Sequence, residues 1–274
     1  TLLFRLREGA SLDAKNLEAC LPYETAFDES FALFKELREE HGRPDLPFQV
    51  GIPAPLDLSV DAFGFPDGLA PDLYDPSLAA TANQVNKIQE VGGGEVVFQM
   101  ESPASLVAVA GADAARAPGV AKQVAGKLAD LPASVPAGTR FGVHLCLGDM
   151  NHKSLGHMKD IAPAILVANA LADAWPADRP LEFIHVPFAA AEEPPTFEPA
   201  FYEPLKQLRI PESIRFVAGC IHESLSSERQ VELLRLIESH VGREVDVASA
   251  CGLGRRPDVS QAWDAMEKAL LLVG

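Results

Sequence analysis

A histidine and a cysteine stand two residues apart in His144-Leu-Cys146-Leu-Gly-Asp149-Met-Asn151, and a second cysteine opens Cys251-Gly-Leu-Gly-Arg255-Arg256 about a hundred residues later. Each stretch follows an apolar, β-branched run, so each reads as the end of a strand. Side chains two apart on a strand share a face, so His144 and Cys146 point the same way. Cys251, at the end of another strand, can meet them. An imidazole and two thiolates are a ligand set for zinc, and zinc held this way with a position left open activates a sulfur nucleophile.

The elements that position these residues alternate between two periods. Helical spacing of apolar residues predicts helices over 27–40, 119–131, 161–175, 227–241 and 260–273, and the end of one over 83–91. His41-Gly42-Arg43-Pro44 stops the first, and Ser and Gly242 bracket the fourth. Short apolar runs predict strands over 47–53, 95–103, 140–149, 181–188, 213–221 and 244–251. A polar, Pro-rich segment after Phe188 predicts a long loop. Gly92-Gly93-Gly94 precedes a strand instead of opening a helix, so it is not a phosphate loop. Alternating strands and helices imply βα units and a parallel sheet; the strands number six, where a closed (β/α)8 TIM barrel has eight. Glu101, His144, Cys146, His185, His222 and Cys251 all fall at C-terminal ends of these strands, the end at which parallel barrels build their active sites.

Composition bounds the rest. The chain has 274 residues, enough for one large domain spanning 1–274, and 47% hydrophobic content without an apolar run of the ~20 residues that would span a bilayer. Lys plus Arg number 23 against 39 Asp plus Glu, a net charge of −16, which argues against nucleic acid or an anionic membrane as partner. The four cysteines are scattered, unlike a disulfide framework, so a reducing cytoplasm is expected. Cys20 and Cys220 read as packing residues; His152, His157 and His240 read as surface or loop residues. Arg255-Arg256 either caps the last strand loop or binds a carboxylate. The chain starts at Thr1 with no initiator Met and no signal-like segment, and is expected to be N-terminally incomplete.

Taken together, these motifs resemble the catalytic barrel of cobalamin-independent methionine synthase, within the superfamily that also holds uroporphyrinogen decarboxylase. HLCLGDMN resembles the family's H-M-C-Y-S-D-F-N, agreeing at His144, Cys146, Asp149 and Asn151. ACGLGRR resembles D-C-G-L-K-T-R, with Cys251 on a zinc-binding Cys. FQMESPASL resembles I-Q-I-D-E-P-A-L, with Glu101 where the family has Asp. AGCIHESLSS resembles V-Y-D-I-H-S-P, with His222 on the catalytic His, and GIPAPLDL is a weak echo of G-P-V-T-I-L. The likeness runs in order from about residue 47 to the end, and its six strands correspond to the family's third to eighth.

The resemblance implies a stand-alone, divergent member: a zinc-dependent methyl- or alkyltransferase acting on a small-molecule thiol, with methyl-folate as donor. It implies His144, Cys146 and Cys251 as zinc ligands. The family's fourth ligand, a Glu in S-I-E-F-S, aligns with His185, which is taken as the fourth candidate ligand; Glu182 is nearby on the opposite strand face, and whether His185, Glu182 or neither completes the site stays open. His222 is expected to protonate the leaving group, Asp149 to orient a ligand or His222, and Glu101 and Asn151 to hold substrate. Two other functions compete. A metal-free decarboxylase of the uroporphyrinogen type leaves the His-x-Cys…Cys set unexplained. A non-catalytic barrel with a structural zinc would fill all four positions with protein. Oligomeric state is left open.

Overall fold

The computed structural model describes residues 3–273. The elements run α1 (Ala14–Glu18), α2 (Tyr23–Glu40), β1 (Phe48–Pro53), α3 (Pro55–Phe63), α4 (Pro71–Gly92), β2 (Val96–Ser102), α5 (Pro103–Ala110), α6 (Ala117–Ala133), β3 (Phe141–Leu145), α7 (Ala162–Ala174), β4 (Leu181–Pro187), α8 (Pro199–Tyr202), β5 (Arg215–Ile221), α9 (Ser227–Val241), β6 (Asp246–Ser249) and α10 (Val259–Val273). The strands pair in chain order in one six-stranded sheet, the order that helical crossovers between parallel neighbours produce. The pairs β1–β2, β4–β5 and β5–β6 are parallel in register, Phe48 opposite Val96 and Phe183 opposite Arg215. The fold is α/β with a parallel sheet, as expected; no seventh or eighth strand occurs among the described residues.

Two compact units divide the chain. The first comprises residues up to Glu101, with Gly126–Gly142 and Trp175–Leu181. Its helix α2 turns Phe27 and Phe31 inward, where they stack at 4.7 Å and meet Phe48 of β1. A second aromatic group joins Phe98, Phe141 and Trp175. Backbone bonds from Phe98 N–H to the Arg140 carbonyl (3.0 Å) and from Phe141 N–H to Pro180 (2.9 Å) continue the sheet.

The second unit comprises Ser102–Ala125, Val143–Ala174 and the chain from Glu182 onward. Val143, Leu145, Ile184, Val186 and Ala218 are fully buried, because strands covered by helices on their connections lose the polar alternation of an exposed sheet. Each large aliphatic side chain so buried contributes about 1.5–3 kcal/mol. Helix α9 starts at Ser226, whose hydroxyl accepts from Arg229 N–H, and ends at Gly242 in the left-handed conformation. Its inner stripe, Gln230, Leu233 and Ile237, follows helical spacing.

Several boundaries differ from the sequence reading. Strand β3 ends at Leu145 rather than Asp149, and β6 ends at Ser249 rather than Cys251, so both cysteines lie just past strand ends. Cys20 is exposed and donates weakly to the Asn16 carbonyl; it is not a packing residue. Cys220 is fully buried on β5, and burial pushes its thiol up to about 12.

Candidate metal centre

The second unit brings together three of the expected donors. His144 on β3, Cys146 one residue past it and Cys251 two residues past β6 offer ligand atoms that all lie within 4.8 Å of one another. The two sulfurs are 3.6 Å apart, far beyond a disulfide and close to the ~3.8 Å that two thiolates ~2.3 Å from one tetrahedral ion would show. His144 and Cys146 are buried, and Cys251 is half-buried. The Gly148 amide donates to the Cys146 sulfur at 3.1 Å, an interaction that favours the thiolate. Gly148 has φ +78°, and a methyl at its Cα would strike Leu155 at 2.7 Å, so this amide is aimed by a turn that only glycine fits. Donor chemistry and spacing therefore fit zinc.

His185 of β4 lies outside that group. Its Nδ1 is 2.7 Å from Nδ1 of His144, with the rings tilted at 51°. Burial drives the His144 imidazole well below its ordinary value, with His185 adding to the effect. Burial likewise lowers His185 to about 4, opposed by the nearby Ser249 carbonyl, although Nε2 makes no full hydrogen bond. Glu182 is half-buried and is not part of the donor group.

His222 follows β5 and is fixed at every polar atom. Its backbone N–H donates to Gln230 Oε1 at 2.8 Å, and Gln230 Nε2 donates to the Cys220 carbonyl at 3.2 Å, tying α9 to the strand end. Ser224 N–H donates to Nδ1 at 3.2 Å, which leaves the ring proton on Nε2, donated to the Ala191 carbonyl at 3.1 Å. Ala191, at φ +52°, belongs to a tight turn closed by reciprocal bonds between Ala190 and Glu193. Burial lowers the His222 pKa, and the Glu223 carboxylate, 3.9 Å from Nε2, opposes that effect.

Asp149 is buried, and neither carboxylate oxygen has a hydrogen-bond partner among the described residues. His152 Nδ1 stands 3.9 Å from its carboxylate. His152 Nε2 is 3.4 Å from Glu223, and Arg256 Nε donates to Glu223 at 3.0 Å. His152 is thus a half-buried link in a charged chain rather than a surface residue, and Arg256 is a buried carboxylate partner rather than a cap. Sequence spacing carried no signal for this Asp149–His152–Glu223–Arg256 chain, because its members lie on three separate loops. Asn151 is exposed, at φ +56°. Glu101 belongs to the first unit, where it accepts from Gln99 at 2.6 Å. His157 is exposed beside Glu193, and His240 pairs with Glu203 at 3.5 Å.

A cavity of about 590 Å³ opens in the second unit. Its walls include Leu147, next to Cys146, and Ala190, next to Ala191, together with Phe188 and Lys159, but none of the three donors. No helix among the described residues is long and apolar enough to cross a membrane.

No protein-family model matches the chain, and no curated protein does. Among solved structures, a B12-independent methionine synthase from Shewanella sp. W3-18-1, in complex with selenomethionine, is similar with a TM-score of 0.53 at 16% identity, covering 83% of this chain and 62% of that one. A putative vitamin-B12-independent methionine synthase from Listeria monocytogenes is 14% identical over 82% of this chain and 62% of its own, with a TM-score of 0.43, too loose to argue from. The chain spans 62% of the length of these solved chains. At such identities the first likeness concerns architecture: this chain has a fold similar to that of a B12-independent methionine synthase.

Proposed function

We propose that the chain is a zinc-dependent transferase that moves a methyl or alkyl group onto a small-molecule thiol. The observation that carries this reading is the His144, Cys146 and Cys251 donor group, two of its members buried and the third half-buried, with sulfurs 3.6 Å apart. A metal-free decarboxylase leaves a pair of thiols beside an imidazole unexplained, and three protein donors leave a tetrahedral ion one open position. The methionine-synthase-like fold agrees with transfer chemistry.

When bound, zinc supplies the positive charge that ionises a coordinated thiol, whose free pKa is about 8.5. His144, Cys146 and Cys251 would hold the ion, and the Gly148 amide would steady Cys146 as its thiolate. The new bond forms between the substrate sulfur and the alkyl carbon as the bond from that carbon to its donor breaks. His222 would first take up a second proton, and from that charged ring Nε2 would pass its proton to the leaving atom. In the charged ring Nδ1–H turns to Ser224 Oγ, 2.9 Å away, while Glu223 offsets the positive charge. Asp149 orients this machinery or a substrate group, and Asn151 holds a polar group of the substrates. Methyl-folate is the proposed donor. The cytoplasm is the compartment in which Cys146 and Cys251 remain thiols.

Metal analysis of the purified protein tests this. About one zinc per chain, lost in Cys146→Ser and in Cys251→Ser, is expected. A folded wild-type protein that neither carries nor takes up zinc would overturn the proposal.

A further inference from the structure

We infer that His185 is not a metal ligand but the residue that sets the tautomer and orientation of His144, turning its Nε2 lone pair to the ion. This inference rests on the metal-binding reading above and adds the role of a residue that the donor group leaves out.

The contact between the rings carries the argument. Two nitrogens bound at ~2.05 Å to one tetrahedral zinc stand about 3.3 Å apart. The Nδ1 atoms of His144 and His185 are 2.7 Å apart, a hydrogen-bond separation with a single proton between them. If His185 donates that proton, His144 carries its own hydrogen on Nε2 and offers no lone pair to a metal. If His144 donates it, Nε2 of His144 is a bare acceptor and His185 carries its hydrogen on its own Nε2. Metal binding through Nε2 of His144 and the second arrangement therefore require each other. Metal-ligating histidines commonly donate their other ring N–H to an acceptor that fixes the ring, usually a carboxylate or carbonyl. Here the acceptor is another imidazole.

The surrounding strands are shaped to seat that second ring. Nε2 of His185 lies over Gly219 of β5: a methyl group there would come within 2.5 Å of it, and within 3.0 Å of the Val186 carbonyl and the Ala250 Cα. The ring thus occupies the volume that any side chain at 219 would fill. The β5–β6 register shifts between Gly219 and Ile221, bringing Ile221 opposite Ser249. Such an irregularity re-aims the backbone at that point. A glycine and a break in the ladder therefore serve a histidine that touches His144 without being one of the three donors.

The test uses the full chain, stripped of metal and titrated with Co2+, whose visible absorption reports both affinity and coordination sphere. His185→Leu fills similar space but accepts no hydrogen bond; His185→Gln restores an acceptor. His185→Leu is expected to weaken Co2+ binding by about 10- to 100-fold. At saturation its d–d and thiolate-to-cobalt bands should match the wild type, and His185→Gln should recover most of the affinity. Altered bands at saturation in His185→Leu would show a lost ligand nitrogen and overturn the inference. Unchanged affinity in a folded His185→Leu would overturn it as well. If the variants do not fold, ring-nitrogen NMR of the Zn2+-loaded wild type decides: His144 bound through Nε2 with a proton on Nδ1 supports it, and a metal-bound nitrogen on His185 sinks it. Failure of the wild type to bind Co2+ or Zn2+ at all would strike the metal reading itself, which separates the two outcomes.

Discussion

The donor group and the charged chain beside it are built in opposite ways. His144, Cys146 and Cys251 sit on a strand or within two residues of a strand end, so the ladder of a parallel sheet sets their spacing. Asp149, His152, Glu223 and Arg256 sit on loops after β3, β5 and β6, and the first of these loops takes left-handed turns at Asn151 and His152. The first group converges on a point; the second is strung out, from Arg256 to Glu223 to His152 and on towards Asp149. Neutral, polarisable donors tolerate mutual contact without an ion. A buried carboxylate does not, and Glu223 is offset by Arg256 while Asp149 meets only a histidine at 3.9 Å. The contrast separates a centre that is rigid by topology from a lining whose geometry depends on its own charges.

The largest expected effect breaks the comparison directly. Cys146→Ser or Cys251→Ser replaces a thiolate with a hydroxyl, a poor zinc ligand, and should lower zinc affinity by more than about 100-fold with little change in fold. Glu223→Gln should leave metal stoichiometry near one, because that side chain touches none of the donors. Chelator competition on the three proteins checks both halves. Equal metal loss in all three would mean that the charged chain, not the strand ends, holds the donors in place.

Next in size is His222→Gln. Loss of a positioned proton donor costs about 10²- to 10⁴-fold in rate. Thiol methylation should fall by that factor while zinc content is unchanged. A rate within a factor of a few of wild type would confine His222 to its structural bonds with Ala191 and Gln230.

The same contrast explains what the sequence disclosed. Strand periodicity located His144, Cys146 and Cys251 because period-two patterning and strand ends are local signals. It also located α9 to the residue, since Ser226 and Gly242 mark both ends chemically. Helices α3 and α5 escaped, because Pro55 and Pro103 read as breakers yet stand in the first turn, where a missing N–H costs nothing. His152 and Arg256 escaped for another reason. Their partner Glu223 is 71 positions from one and 33 from the other by residue number, and loop residues carry no periodicity to announce a shared site. His185 was legible as a residue at the centre but not in its relation to His144, which depends on the glycine at 219 and a register shift.

A smaller effect sharpens the comparison. The Arg256 side chain is 1% exposed and Glu223 10%, so Arg256→Met leaves a carboxylate buried beside His152 and His222. Breaking one side of such a pair costs about 3 kcal/mol, and Arg256→Met with Glu223→Gln should cost less than Arg256→Met alone. Urea unfolding of the single and double variants measures this. Equal losses would show that the pair is screened by solvent despite its burial.

The smallest expected effect is on pH dependence. Burial holds the His222 imidazole below its ordinary value, so the unfolded chain takes up a proton near pH 6.5 that the folded chain resists. The stability contributed by neutral His222 is complete above pH 6.5 and is lost as pH falls towards the lowered folded value. His144 and His185, both held down by burial, act in the same direction, so only the difference between proteins isolates His222. Melting temperatures of the metal-free wild type and His222→Gln, followed from pH 7.5 to pH 5, should converge as the wild type declines more steeply. Parallel curves would mean that the Glu223 carboxylate cancels the cost of burial, and that the loop chain, despite its loose construction, sets the charge state of His222.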